Sequence, residues 1–158
     1  MDPNAKRKAL RLITYGLYVA TSRDGDDFAA GTINWVSQSS FAPPLVMAGI
    51  KADSRLHDVI AASHVFAIHI VGKDQKDFAT TFFKGAERQG DKLTGYRFEE
   101  GSTGAPILID APAWFECRVV DRIARGDHTI YVGEVVNAGM RRDAEPLTLR
   151  DTAFFYGG

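Results

Sequence analysis

Thr32, Asn34, Gln38 and Ser40 share one parity in the stretch that follows Gly31. Side chains alternate between the two faces of an extended strand, so all four would project to one side. That row is either a solvated face or the polar lining of a ligand site. Trp35 has the opposite parity and, on residue type alone, reads as core. Downstream, Lys51, Ser54 and Arg55 bracket the start of a helical stretch. Unpaired amide N–H groups and the positive end of the helix dipole favour an anion at such a place. These residues are therefore either an ordinary capped surface helix with solvated cations or the outline of a phosphate site. His128 directly follows the turn Arg125-Gly126-Asp127, where residue type alone gives an exposed turn histidine.

Other chemistry lacks its signatures. The chain has no GxGxxG after a strand and no HExxH, CxxC or GxSxG, so Rossmann, zincin, thioredoxin-like and serine-hydrolase readings lose their support. The run GAERQGDK at 85–92 has a superficial likeness to a phosphate loop, but Asp91 separates its second glycine from Lys92, and it reads as loop. The histidines at 57, 64, 69 and 128 are scattered, and His64 and His69 would face opposite sides of one strand, so no metal site is expected. Cys117 alternates with Phe115 and Val119 and reads as core. A single cysteine forms neither an intrachain disulfide nor a multi-thiolate metal site, which fits a reducing compartment.

The elements that must position these residues follow from pattern and punctuation. Alternation over 13–21, the turn cluster at 23–27 and the run 28–37 predict strand, turn, strand; the double proline at 43–44 stops pairing, and 45–50 predicts a third strand. A helix is expected from an Asp53 or Ser54 N-cap to near Ser63, then a strand over 65–71. Asp74 is placed to cap a second helix that runs to Gly85, and 84–103 reads as a long excursion. The runs 114–124 and 128–138 form the clearest hairpin, and a last short strand includes Leu147 and Leu149. Strands joined mostly by hairpins, with small peripheral helices, predict a mainly β, closed antiparallel barrel.

With 158 residues, 45% of them hydrophobic, the chain suits one domain with a sizeable core, residues 1–9 being a loose arm. A net charge of -1 gives no reason to expect nucleic acid or an anionic membrane surface as partner. The longest apolar run, 59–71, is interrupted by Ser63 and His64 and is shorter than the roughly 20 residues of a membrane helix, so no transmembrane span is expected. The N-terminal MDPNAKRKALRL lacks the apolar stretch of a secretory signal, which makes the cytoplasm the expected compartment.

An ordered set of segments remains: GTINWVSQSSFAPPLVMAGIKADSRL (31–56), HVFAIHIV (64–71), DFATTFFKG (77–85), GDHTIYVGEV (126–135) and a terminal YGG. In that order they resemble the flavin reductase-like family, whose members fold as a Greek-key FMN-binding split barrel. His69, where many relatives have Asn, and Trp35 with Gln38 depart from the reductase branch. The resemblance implies FMN as cofactor, with Thr32, Asn34, Trp35, Gln38, Ser40, Lys51, Ser54, Arg55, Phe83 and Lys84 around it. It also implies NAD(P)H as hydride donor, with His128 beside the stacked nicotinamide and no acid–base pair, because hydride passes directly between the rings. A homodimer with the flavin near the subunit boundary, and a partner oxygenase or other acceptor for reduced flavin, come with the same likeness. Two other readings stand beside it: an FMN-bound electron carrier without NAD(P)H activity, and a non-catalytic ligand-binding barrel.

Overall fold

Gly25 turns the chain in the left-handed region (φ 58°), and the two strands it joins pair in full register from Tyr18 opposite Ile33 to Asp24 opposite Asp27. The computed structural model describes residues 1–158. Along the chain lie α1 (Pro3–Leu10), β1 (Tyr18–Asp24), β2 (Asp27–Ile33), β3 (Val36–Ser40), β4 (Leu45–Lys51), α2 (Arg55–Ser63), β5 (Val65–Ile70) and α3 (Lys76–Thr81). They are followed by β6 (Arg88–Gln89), β7 (Lys92–Leu93), β8 (Tyr96–Glu100), β9 (Pro106–Leu108), β10 (Ala113–Arg125) and β11 (His128–Met140).

Seven strands form one antiparallel sheet in the order β2-β1-β5-β10-β11-β4-β3, and β6 to β9 form a second, smaller one. The expected closed barrel is not formed: β2 and β3 are the two edges of the large sheet and share no ladder. They are nevertheless consecutive in sequence, joined through Asn34 and Trp35, so the sheet curls to bring its edges together. Helix α2 sits in the curl against β1, β2 and β4. Its Leu56, Val59 and Ile60 are buried among Ala20, Ala48, Ile50, Phe66, Ile68, Cys117 and Tyr131. Each such apolar side chain contributes about 1.5 to 3 kcal/mol relative to exposure, which is what holds a nine-residue helix too short to stand alone. Gly133 is required here, since a Cβ would lie 2.6 Å from both the Phe66 ring and Cys117 Cβ. A second cluster joins Leu17, Val19, Phe28, Phe78, Phe82, Leu93, Leu108 and Leu147.

Several elements differ from expectation. The N-terminal arm is helical: Asp2 Oδ1 accepts from Asn4 N, Pro3 starts α1, and no residue of the helix is buried. The first strand begins at Tyr18, leaving Ile13 exposed. The run 28–37 breaks at Asn34 and Trp35 into two strands, because the chain changes partner there: Ile33 still pairs with Tyr18 of β1, whereas Trp35 O accepts from Gly49 N and Val36 pairs with Ala48 of β4. Gln75, not Asp74, precedes α3, and Asp74 pairs with Arg142 instead. The helix tightens into a 3-10 turn, Phe82–Lys84, before Gly85 (φ 87°) ends it. The excursion carries the short strands of the second sheet, and Leu147 and Leu149 make isolated bonds to Leu17, Val71 and Tyr15 rather than a strand.

Candidate functional site

A cleft of about 1670 Å³ opens between the end of β2, the N-terminus of α2, the Phe82–Lys84 turn, the start of β11 and residues 153–156. Of the residues singled out by sequence, Thr32, Asn34, Lys51, Ser54, Arg55, Phe83, Lys84 and His128 line it. Gln38, Ser40 and Trp35 do not. The single polar face expected of Thr32, Asn34, Gln38 and Ser40 is not formed, because the strand breaks after Ile33 and β3 carries a bulge between Gln38 and Ser40. Gln38 is exposed, and its Nε2 donates to Ser40 O instead.

Each wall presents a different chemistry. Thr32 Oγ1 donates to Ala79 O at 2.5 Å, tying β2 to α3. Asn34 is only 5% exposed, and its Nδ2 has no partner. An unmade bond on a buried amide costs about 1 to 3 kcal/mol, so this atom is a donor waiting for an acceptor. On the next wall, Ser54 caps α2 by accepting from His57 N at 3.2 Å while its hydroxyl donates to Lys51 O at 2.7 Å. Arg55 pairs with Asp27, and Lys51 with Asp53 at 3.1 Å; the hydrogen bond that Lys51 donates to Asp53 raises the ammonium above its usual range. Lys84 makes no ion pair. Phe83 stands half exposed, edge-on to Phe154 at 4.9 Å.

His128 closes the far wall. Asp127 Oδ1 lies 2.7 Å from Nδ1, and Tyr156 OH lies 2.8 Å from Nε2. The His128 contact holds the Asp127 carboxyl below its usual range, so Asp127 accepts from Nδ1, and in the neutral imidazole Nε2 then accepts from Tyr156 OH. Burial raises the Tyr156 phenol, which keeps its proton. Trp35 lies behind this pair, 4.4 Å from the imidazole and 5.5 Å from the Tyr156 ring. Its close approach requires Gly49, where a Cβ would come within 3.1 Å of Trp35 Cβ. The other histidines are elsewhere: His64 ends α2, His57 bonds Thr129, and His69 is in the core.

Sequence reasoning missed the wall made by residues 153–156, although three consecutive aromatics at Phe154, Phe155 and Tyr156 were its signal. It also missed Glu87, Arg88 and Thr94, which lie in stretches that read as loop, and it offered Asp53 only as a helix N-cap. The donor set suits a flat heterocycle with a polar edge and a phosphate tail. The unpartnered Asn34 amide is a donor on one wall, Phe83 and His128 present ring faces, and Lys84 with the α2 N-terminus supplies positive charge.

The sequence matches the flavin reductase like domain family over residues 10–158. Among curated relatives, the FMN reductase (NADH) SmoA of Agrobacterium fabrum is 33% identical over 148 residues, covering 94% of this chain and 82% of that protein. The solved flavin reductase PheA2 is 30% identical, with a TM-score of 0.80 over 94% of this chain and 93% of that one. The styrene monooxygenase flavin reductase of Pseudomonas putida S12 is 29% identical, with a TM-score of 0.72 over 87% of each chain. The chain spans only part of other relatives: 45% of one from Rhizobium meliloti, 25% of a Synechocystis diflavin flavoprotein and 62% of a Moorella high molecular weight rubredoxin.

Proposed function

The chain belongs to the flavin reductase-like family, and from that premise we propose that it is an NAD(P)H:flavin oxidoreductase that holds FMN in the cleft. The observation that carries this reading is the buried Asn34 amide without a partner in the wall of a cleft that also offers unpaired Lys84 and the α2 N-terminus. Bound FMN would supply a ring able to take hydride from NAD(P)H. Asn34 Nδ2 would donate to an acceptor on the ring edge, with Thr32 beside it. Ser54, Arg55, Lys51 and Lys84 would hold the phosphate, and Phe83 would cover the ring from one side. His128 would bound the nicotinamide, backed by Trp35. In this reading His128 shapes the wall and is not a general base, since both ring nitrogens are already engaged. Holding two rings in contact and keeping water out is the protein's main contribution to such a transfer.

The split-barrel architecture is our reading of the curled sheet, supported by the consecutive edge strands β2 and β3 around α2. We place the protein as a single-domain homodimer in the cytoplasm, passing reduced flavin to a partner oxygenase. The likeness to a styrene monooxygenase flavin reductase supports that partner class. A second reading, an FMN-bound electron carrier, is favoured by the match to part of a diflavin flavoprotein. Titration of the purified protein with FMN, followed by quenching of flavin fluorescence, tests the site; no change at micromolar protein removes the reading. NADH and NADPH oxidation with added FMN then separates reductase from carrier.

A further inference from the structure

The core gives α1 nothing to rest on. None of its eight residues is buried, and a helix of that length does not persist alone in water. Its anchorage lies at Arg11, the residue that caps it. The Arg11 guanidinium stands 5.1 Å over the Phe155 ring, and Nε donates to Gly157 O at 3.4 Å. Gly158 packs so closely against the same place that a Cβ there would lie 3.0 Å from both Arg7 O and Arg11 Cγ. Arg150 braces the joint by donating to Leu12 O at 3.0 Å.

The segment that Arg11 grips spans the cleft. Phe154 stands edge-on to Phe83 of the Phe82–Lys84 turn at 4.9 Å, with Lys76 Nζ 5.0 Å over its ring. Tyr156 reaches His128 at the start of β11, and its ring lies 5.5 Å from Trp35. Residues 154–156 therefore run from one wall of the cleft to another. Every hold on them is one that thermal motion can break: Phe155 is 76% exposed and Tyr156 45%, and an exposed cation–π contact or a single neutral hydrogen bond is weak in water. Arg11 also differs from the other anchors in its place. Phe83 and His128 line the cleft, whereas Arg11 does not, and its cation–π contact and side-chain hydrogen bond both go to this segment.

We propose that Arg11 is a positioning residue that, from outside the cleft, holds residues 154–157 as a strap across it and so sets how fast FMN enters and leaves. The identity of the ligand rests on the flavin reading; the hold of Arg11 on the strap does not. A strap that must lift before a ligand passes scales uptake and release by one factor, the fraction of time it stands open. Loosening an anchor that does not touch the ligand raises both rates and leaves their ratio, the Kd, in place. Loss of a residue that touches FMN raises release alone. The release rate matters for a protein that hands reduced flavin to a partner, because a closed strap keeps the flavin from the acceptor.

Stopped-flow mixing with FMN reads uptake by the quenching of its fluorescence, and dilution of the complex reads release by the return of that fluorescence. Arg11→Ala should raise both rates about fivefold and move the Kd by less than about twofold. Arg11→Lys keeps a cation over Phe155 and should restore both rates to within about twofold of the native protein. Lys8→Ala removes a cation from α1 without touching the strap and should change neither. In the ligand-free ¹⁵N-labelled protein, Arg11→Ala should lower the heteronuclear NOE of residues 154–157 and leave the strands of the large sheet as they were. Unchanged FMN rates, a faster release matched by a weaker Kd, or an unaltered NOE overturns the strap. Failure of the native protein to bind FMN overturns the flavin reading instead, and the NOE then decides by itself whether Arg11 holds the segment.

Discussion

His69 and His128 lie on strands of the same sheet, and each has both ring nitrogens engaged, yet the partners are of opposite kinds. His69 Nδ1 donates to Val19 O at 2.9 Å and Nε2 accepts from Leu108 N at 3.0 Å, so backbone holds it on both sides in the core. His128 is held by the exposed side chains Asp127 and Tyr156, which can let go. The contrast extends to the regions around them. In the interior, buried Glu116 accepts from Ser102 N and Oγ, Thr103 N and Oγ1, and Asn137 Nδ2, with no lone pair left wanting. In the cleft, Asn34 Nδ2 has no partner, Lys84 is unpaired, and Arg55 and Lys51 pair with exposed carboxylates. Polar groups that the fold has satisfied hold the fold; of the three buried atoms left without a partner, Asn34 Nδ2 belongs to a cleft-lining residue, whereas Trp35 Nε1 and His57 Nδ1 lie outside the lining.

Removing an interior group tests that division most severely. Glu116→Ala strips the acceptor from five donors that fix the 101–103 turn against β10 and β11, and Gly101 is packed directly on that carboxylate. A loss of about 4 kcal/mol is expected from bonds to a charged group and the donors they leave behind. Urea denaturation measures it. A loss under about 1 kcal/mol would mean that the interior network is as exchangeable as the cleft.

His69 makes the next largest effect, through pH. Burial, the largest cause, pulls its pKa from 6.5 down to about 4, and the Val19 carbonyl only partly offsets it. A group whose folded pKa is depressed adds stability above its unfolded pKa and loses it as pH falls toward the folded one. About 3 kcal/mol should therefore disappear between pH 6.5 and about 4. Unfolding midpoints across that window read it, and His69→Asn should flatten the slope. Glu116 adds to acid lability lower down: burial pushes its carboxyl up, but the hydrogen bonds from Thr103, Asn137 and Ser102 outweigh it and bring the net below the usual range.

In the cleft the expected effects move from stability to binding. Arg55→Ala should weaken FMN about tenfold or more, from the loss of a charge-assisted bond of roughly 1.5 to 3 kcal/mol, and leave riboflavin, which lacks the phosphate, nearly unchanged. The FMN loss should shrink as salt rises, since Arg55 and Asp27 are both well exposed. Equal weakening of both flavins would move Arg55 from the ligand to the fold.

Legibility in the sequence followed the same boundary. The hairpin of β10 and β11, strand β4 and the Ser54-capped α2 were readable because local alternation and capping chemistry agree with the tertiary outcome. Thr32, Asn34 and Arg55 reach the cleft, but the parity argument failed for Gln38 and Ser40. Whether a run stays one strand depends on Trp35 finding space over Gly49, a contact between strands that no local pattern encodes. The curl of the sheet and the four short strands of the second one were illegible for the same reason. Tyr156 was visible only as a terminal aromatic, because its partner His128 lies 28 residues away in sequence.

That Tyr156–His128 bond carries the smallest effect and the finest test. With Asp127 accepting from Nδ1, the one acceptor of the neutral imidazole is Nε2, and the Tyr156 hydroxyl occupies it. A nicotinamide carboxamide that bonds His128 must first displace this hydroxyl, while the Tyr156 ring stays edge-on to Trp35. Tyr156→Phe keeps the ring and removes the O–H, relieving a bond worth roughly 0.5 to 1.5 kcal/mol net. The KM for NAD(P)H should fall about threefold, with kcat and FMN affinity unchanged. The direction decides the matter: a fall means the bond is exchangeable, as cleft bonds are argued to be. A rise of similar size would place Tyr156 with the interior groups, holding His128 still for the nicotinamide as backbone holds His69. No change would mean that the nicotinamide does not use His128 Nε2, and that the wall acts through its ring face alone.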